Sequence, residues 1–481
     1  MKYDLRFYNT LSKEIEEFKS LEEGRVGLYT CGPTVYGYTH IGHLRTYVLY
    51  DIIKRVLLAD GYKVKHVMNI TDVGHLTSDA DSGEDKMEKE AAKENKSAWE
   101  IAEFYTNDFI ENLNKLNIIL PEVISPATKH IEEQIAMVKK IEQAGFTYAT
   151  LDGIYFDTSK LPSYGFPGRQ NSEDMQAREG LENSSEKKNP TDFAVWKFSP
   201  KDEKRQMEWE SPWGVGFPGW HIECAAMSMK YLGEYFDIHG GGVDHIPVHH
   251  PNEMAEAEAV TGKKLSKYWI HGGFVNFSGE KMSKSKGNSV RLIALENISP
   301  LAVRYNMFLS HYNKTIDFSF DSLNASQTAL NNLFQFIQRL LKLNQLSLSG
   351  KIKIEMGEEN KNNLDLVLDA FFKAVNNDFD MPSSMEIIWN FVKEYNKSPM
   401  NYDPQLVLDM FYGFEKVLGL GLDKISLDAI PAEIEKLAED RWLAKNTKDF
   451  TESDRLRNEI KEKGYVIDDF SDFYLIFKTK N

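Results

Sequence analysis

Residues 26 to 43 read VGLYTCGPTVYGYTHIGH, and the change of character along this stretch decides the fold. Val26 to Cys31 is a short apolar run of the kind that forms a buried strand. Gly32-Pro33 breaks it, and Ile41, Leu44, Val48, Ile52 and Val56 then recur at helical spacing as far as Gly61. A second apolar run, Val64 to Ile70, follows directly. Strand, turn, helix and strand open a parallel nucleotide-binding sheet, and such sheets take ligands beyond the C-terminal ends of their strands. The turn that follows this first strand, CGPTVY (31–36), carries no GxGxxG signature, so a dinucleotide dehydrogenase is not expected.

Further along the chain, strand-like runs return at 235–239 (YFDIH) and 268–277 (YWIHGGFVNF), with a helical pattern from Pro251 to Val260 between them. These complete the sheet. Between the halves lies a region of different character: a helix near His130 to Ala144, a short strand pair around Thr147 to Phe156, and a polar stretch over 170–191. The polar segment 76–98 reads as a surface excursion before a helix around Trp99 to Leu116. Beyond about residue 320 the pattern is almost wholly helical, with one amphipathic face at Leu330, Leu333, Phe334, Ile337, Leu340 and Leu341. Three more helical segments follow, Leu366 to Val375, Met385 to Tyr395 and Leu406 to Leu418; the tail holds two short helical patterns and a stop at Gly464.

The expected architecture is therefore α/β: a Rossmann-like parallel-sheet domain in two halves, 1–125 and 211–265, split by a connective insertion at 126–210. A region at 266–324, an all-α helix bundle at 325–420 and a small C-terminal domain at 421–481 complete it.

The chain has 481 residues, 42% hydrophobic and 27% charged, the composition of an ordinary globular protein. Its formal net charge of −16 argues against a broad basic grip on nucleic acid or anionic membrane. A phosphate-rich partner must be held by local features. No stretch is long and apolar enough for a signal peptide or a membrane span, and the only two cysteines, Cys31 and Cys224, suit a reducing compartment. A cytoplasmic location is expected.

Three segments carry candidate chemistry. The turn at 33–43 places His40 and His43 around Gly42 where a helix opens, so two imidazoles and free backbone N–H groups meet a potential phosphate chain. Residues 281–288, KMSKSKGN, put Lys281, Lys284 and Lys286 among small flexible residues, suited to neutralising a departing pyrophosphate but equally to a solvated loop. The third is the histidine-rich stretch: His221, His239, His245, His249 and His250 all lie within thirty residues of Cys224. Pro251 favours the first helical position, which places His249 just outside that helix and Glu253 in its first turn. Cys31, Cys224, His249 and Glu253 form a plausible four-coordinate Zn²⁺ set, although two distant cysteines also read as small buried hydrophobes.

Taken together and in this order, the three segments resemble the class I aminoacyl-tRNA synthetases, specifically the cysteinyl-tRNA synthetase family. PTVYGYTHIGH (33–43) resembles the HIGH signature with its lead-in, KMSKS (281–285) matches the second signature, and GWHIECAAM (219–227) with DIHGGGVDHIPVHHPNE (237–253) resembles the cysteine-specific part. The resemblance spans nearly the whole chain. It implies that Cys31, Cys224, His249 and Glu253 hold Zn²⁺, that His40, Gly42 and His43 bind ATP with Mg²⁺ accompanying the nucleotide, and that Lys284 acts from its loop with Lys281 assisting. It implies adenylate formation from L-cysteine and ATP and transfer of the cysteinyl group to the 3′ end of tRNA(Cys), by positioning and electrostatics without a protein nucleophile. The metal would select the substrate thiol over serine's hydroxyl, which makes a second hydrolytic site unnecessary.

Trp220, Asp244 and Thr71 would line the amino-acid pocket. NNDFDMPSSMEIIWNFVKEYN (376–396) resembles the family's bundle and AKNTKDFTESDRLRNEIKEKGYVIDD (444–469) its anticodon module. There Phe450, Asp454, Arg457 and Asp469 would stack on or hydrogen-bond to unpaired bases. Two departures stand out, Pro251 where the family often has an acid and Lys445 where it has an arginine, which cannot be replaced in a bidentate base contact. The chain is expected to be monomeric, with no membrane partner. The competing readings are a mycothiol-type ligase that joins cysteine to an amino sugar, which lacks the C-terminal module, and a non-catalytic RNA-binding relative.

Overall fold

The computed structural model describes residues 3–74, 85–165, 186–200, 204–282 and 289–478. Five parallel strands make the central sheet: β1 (Arg25–Thr30), β2 (Lys63–Ile70), β3 (Val123–Pro126), β4 (Phe236–Gly242) and β5 (Ser266–Gly272). Their spatial order is β5-β4-β1-β2-β3, all neighbours parallel. The order reverses between β1 and β4, which is where such a sheet opens a crevice at its C-terminal edge. Helix α1 (Ile41–Ala59) connects β1 to β2, with every apolar position of the expected stripe buried. It also buries Asp51, Lys54 and Arg55, which pair as Arg55–Asp51 at 2.7 Å and Lys54–Glu122 at 2.8 Å. Pairing satisfies charges that burial would otherwise make costly.

The return to β4 passes through the insertion. Its helix, Ile131–Gln143, packs with an antiparallel sheet of Thr147–Ala149, Gly153–Phe156, Phe193–Phe198 and Gly216–Pro218 over a core that includes Val138, Phe156, Val195 and Trp196. The chain then enters α2 (Trp220–Leu232) and, after β4, α3 (His249–Thr261). A second, three-stranded sheet follows β5, in which Val275–Phe277 pairs antiparallel with Glu280–Lys281 and parallel with Ile316–Phe318. Three features were not legible as patterns. An N-terminal hairpin, Arg6–Asn9 with Glu14–Glu17, exposes nearly all of its second strand. Helix Lys86–Glu94 lies within the polar excursion, capped by the Asp85 side chain. The tail ends in an antiparallel pair, Tyr465–Asp469 with Tyr474–Lys478.

The chain divides into two compact units, one made of Met1–Glu296, Ser310–Phe318 and Asn376–Phe379, the other of Asn297–Leu309, Ser319–Val375 and Asp380–Asn481. The second is helical, with Phe320–Leu348, Glu358–Val375, Met381–Tyr395 and Pro404–Leu418 as its main members. Side chains of Ser319, Asp380 and Asp403 cap three of these, and Gly419 ends the last in the left-handed conformation. Ala432–Asn446 and Phe450–Glu462 then pack with the terminal strands around Ile434, Ala438, Ile460 and Ile467. Among the described residues no helix is long and apolar enough to cross a membrane.

Candidate active site

Cys31 sits one residue beyond the end of β1, where its backbone N–H donates to Gly240 O on β4 at 2.9 Å. The turn is tight. A Cβ on Gly32 would lie 1.6 Å from Asn69 O, and one on Gly240 would meet the Tyr50 ring at 2.2 Å, so both positions require glycine. Cys224 comes from α2, and His249 and Glu253 from the first two turns of α3. Helix α3 begins at His249, two residues earlier than the proline suggests; Pro251 is its third residue. Any of the first four helical positions tolerates proline, because their N–H groups have no intrahelical partner. His249 and Glu253 therefore share one helix face, with Nε2 and Oε1 3.0 Å apart.

These four expected ligands converge. Their donor atoms lie within 4.8 Å of one another and all four residues are buried. Cys31 Sγ is 4.0 Å from Cys224 Sγ and 3.6 Å from Glu253 Oε1. Ligands around a tetrahedral ion with bonds of about 2.0–2.3 Å sit roughly 3.3–3.8 Å apart, so the donor set fits such an ion. The chemistry of two thiols, one imidazole and one carboxylate suits Zn²⁺ in particular.

Their surroundings orient them. His249 Nδ1 contacts His221 Nδ1 at 2.8 Å, leaving Nε2 for the cluster, and Glu253 Oε2 pairs with His239 Nε2 at 2.8 Å, leaving Oε1. Burial pushes the Cys31 thiol well above its usual range, and Cys224 adds to this. Burial also opposes charge on Cys224, but hydrogen bonding with Cys31 and His249 holds its thiol below the ordinary value. Glu253 is held low against burial by His239 and His249, and His249 is raised against burial chiefly by Glu253. The buried charges thus pair with each other.

A second set of four, Cys31, His239, His250 and Glu253, also brings its donor atoms within 4.8 Å. His250 Nε2 is 3.4 Å from Cys31 Sγ, and its Nδ1 contacts His271 Nε2 at 2.7 Å. Burial, with the neighbouring imidazoles, depresses His250 well below its usual value. Sequence reasoning singled out His249 alone; the density of histidines near Cys224 was the signal for the others.

Beside the cluster, a cleft of about 630 Å³ opens at the strand switch point, lined by Cys31, His40, His43, Trp220, Asp244 and Met282 among others. His40 and His43 stack, with ring centroids 3.6 Å apart, and Gly42 lies between them on the wall. Trp220 opens α2 and packs on His249 with centroids 4.6 Å apart. Asp244, on a short 3₁₀ turn, is exposed to the cleft. Thr71 is buried outside the lining residues, donating to Glu223 Oε2 at 2.9 Å and accepting from Asn69 Nδ2 at 3.0 Å. Lys281 lies on the backbone of the short strand Glu280–Lys281, and Lys284 lies outside the described residues.

In the second unit Phe450 is 62% exposed and opens the helix Phe450–Glu462, which also carries Asp454, exposed, and Arg457. Asp469 is fully engaged: Arg441 grips it with both terminal nitrogens, while Lys445 Nζ and Arg457 Nη2 each lie 3.0 Å from Oδ2. Asp469 orders these cations.

Comparison with known proteins fits this geometry. A family model described as the class I (C) tRNA synthetase catalytic domain matches residues 17–328. The cysteine–tRNA ligase 1 of Burkholderia lata is 43% identical over 472 residues, covering 97% of this chain and 95% of that protein. The cysteine–tRNA ligase of Zymomonas mobilis is 42% identical over 495 residues, covering 95% of each. Among solved structures, Mycobacterium tuberculosis methionyl-tRNA synthetase in complex with methionyl-adenylate superposes with a TM-score of 0.62 at 17% identity, covering 83% of this chain and 93% of that one, a likeness of fold. With a parallel sheet of this order, a thiol-rich donor cluster at its switch point and relatives matching along nearly its full length, the chain belongs to the cysteine–tRNA ligase family of class I aminoacyl-tRNA synthetases.

Proposed function

We propose that this chain activates L-cysteine with ATP and transfers the cysteinyl group to the 3′ end of tRNA(Cys). The observation that carries the reading is that Cys31 belongs both to the donor cluster and to the wall of the cleft beside the His40–His43 turn. In the first step the α-carboxylate of cysteine attacks the α-phosphorus of ATP, the bond to the β-phosphate oxygen breaks, and pyrophosphate leaves. In the second, a terminal ribose hydroxyl of tRNA attacks the activated carbonyl and AMP leaves.

Cys31, Cys224, His249 and Glu253 would hold one Zn²⁺, which when bound supplies a soft Lewis-acid seat for the substrate thiolate. His40 and His43 stabilise negative charge developing on the phosphates, which arrive with Mg²⁺, and Gly42 lets the backbone approach them. Lys281 and Lys284 neutralise the departing pyrophosphate. Asp244 pairs with the substrate ammonium, Trp220 closes over the side chain, and Thr71, tied to Glu223, supports the pocket from behind. Phe450, Asp454 and Arg457 present the RNA-binding face of the C-terminal module, with Asp469 holding Arg457 in place. The protein works as a monomer in the cytoplasm.

The test is exchange of pyrophosphate into ATP, dependent on cysteine and performed without tRNA, followed by aminoacylation of tRNA(Cys). Metal-loaded protein that supports no exchange would defeat the ligase reading. Transfer only to an amino sugar would select the mycothiol-type reaction instead.

A further inference from the structure

The cleft is assembled from segments far apart in sequence, and one buried side chain ties several of them together. Arg45 lies on α1, two residues after His43, and is only 4% exposed. Its guanidinium faces five backbone carbonyls. Nη1 donates to Phe274 O at 2.6 Å and Gly273 O at 3.4 Å; Nη2 donates to Lys314 O at 2.6 Å, His311 O at 3.1 Å and Tyr312 O at 3.4 Å.

The acceptors matter for what they precede. Gly273 and Phe274 lead into Val275–Phe277, whose antiparallel partner is Glu280–Lys281. His311 to Lys314 lead into Ile316–Phe318, the parallel neighbour of the same strand. Arg45 thus fastens both lead-ins of the three-stranded sheet to the helix that starts at the His40–His43 turn. Other bonds register the same parts: Met282 N–H donates to Val275 O at 3.2 Å, and Ile41 N–H donates to Val290 O at 2.9 Å. A planar fork with five N–H groups can meet carbonyls of two segments at once, whereas an ammonium is a point donor. Burial lowers the Arg45 pKa to about 10, which still leaves it charged at neutral pH.

We infer that Arg45 is a positioning residue that sets the hairpin carrying Lys281 and Met282 against the first turn of α1, where Met282 shares the cleft wall with His40 and His43. The inference deepens the ligase reading and rests on it. Catalysis by positioned charge is sensitive to displacements of about 1 Å, which can cost as much as 100-fold in rate.

The experiment measures cysteine-dependent pyrophosphate exchange in the full chain for R45K, K281A and the double variant. R45K should lose about 10-fold or more in kcat while KM for ATP and for cysteine stays within about 3-fold, with bound metal and melting temperature retained. Because Arg45 acts through the hairpin, the double variant should be no more than about twofold slower than K281A alone. Multiplicative losses, an R45K enzyme within about twofold of the unaltered one, or a K281A variant without effect would overturn the inference while leaving the ligase reading intact. Absence of exchange in the unaltered, metal-loaded chain would instead overturn that reading. If R45K does not fold, R45Q, which keeps a neutral donor to the same carbonyls, takes its place; failure of both to fold would assign Arg45 to structure alone and overturn the inference.

Discussion

The cluster around Glu253 and the cluster around Asp469 are both carboxylates surrounded by nitrogen-bearing side chains, yet they differ in what they leave unfinished. Around Asp469, Arg441, Lys445 and Arg457 supply three cations to one partly buried carboxylate, and both of its oxygens are taken. Around Glu253, two cysteines and several imidazoles are packed in a fully buried space, with four donor atoms within 4.8 Å of one another. Buried donors packed that closely are expensive unless something shares them; at Asp469 the carboxylate itself satisfies the one buried cation, Arg441, and the more exposed Lys445 and Arg457 cost little. The Asp469 cluster shapes a surface; the Glu253 cluster has the donor set of a metal site.

The largest effect should come from removing a thiol. Cys224→Ser is expected to abolish stoichiometric zinc and lower cysteine-dependent exchange by about 1,000-fold, with discrimination against serine lost, as read by metal analysis beside the exchange assay. Unchanged metal content would erase the contrast between the clusters. Next, the two overlapping donor sets can be separated. His249→Ala should weaken zinc binding by about 100-fold or more, while His250→Ala, acting through neighbouring imidazoles, should cost about tenfold or less; the reverse order in a zinc competition titration would transfer the site to the second set.

On the surface side, Phe450→Ala should raise KM for tRNA by about tenfold, the scale of one lost base stack, and leave exchange without tRNA untouched. Asp469→Asn should act through order rather than contact, lowering the melting temperature of the helical unit by about 3 °C with unaltered exchange. An effect on exchange from either variant would break the separation of roles.

The smallest effect concerns a buried imidazole that belongs to neither donor set. His66, on β2, contacts Thr30 Oγ1 at 2.8 Å, and burial, aided by Lys54, lowers its pKa to about 3. A depressed folded-state value means that its contribution to stability is present above about pH 6.5 and lost as pH falls toward 3. Denaturant unfolding between pH 6.5 and 4.5 should therefore show a stability slope in the unaltered protein up to ~1.4 kcal/mol per pH unit steeper than in His66→Asn. Equal slopes would show that the imidazole does not stay neutral in the fold.

Legibility followed the same divide between local and distant order. β1, α1 and β2 were readable from 26–70 because hydrophobic period and a Gly-Pro break are local signals. The exposed strand Glu14–Glu17 and the helix Lys86–Glu94 offer no apolar stripe, so periodicity passes over them. Pro251 misled at the start of α3, since proline marks a helix's first turn rather than one fixed position within it. At the site, residue types and motif order pointed to Cys31, Cys224, His249 and Glu253; His239 and His250 were visible only as members of a histidine-rich stretch, and Glu223 and Arg45 stayed out of view. Their roles depend on which buried groups they face.

By itself the amino-acid order determined the class of sheet, the helical character of the C-terminal third, and the family's signature residues, because each is written in neighbouring side chains and their spacing. Only the tertiary structure decided that Cys31 reaches Cys224 across 193 positions, that a second donor set overlaps the first, and that Arg45 spans two lead-in segments. Those facts arise from the parallel pairing of β1 with β4 at the strand switch point, from the helices packed on that sheet, and from the desolvation of what meets there. Distance in space and exclusion of water belong to the packed chain rather than to any segment of it.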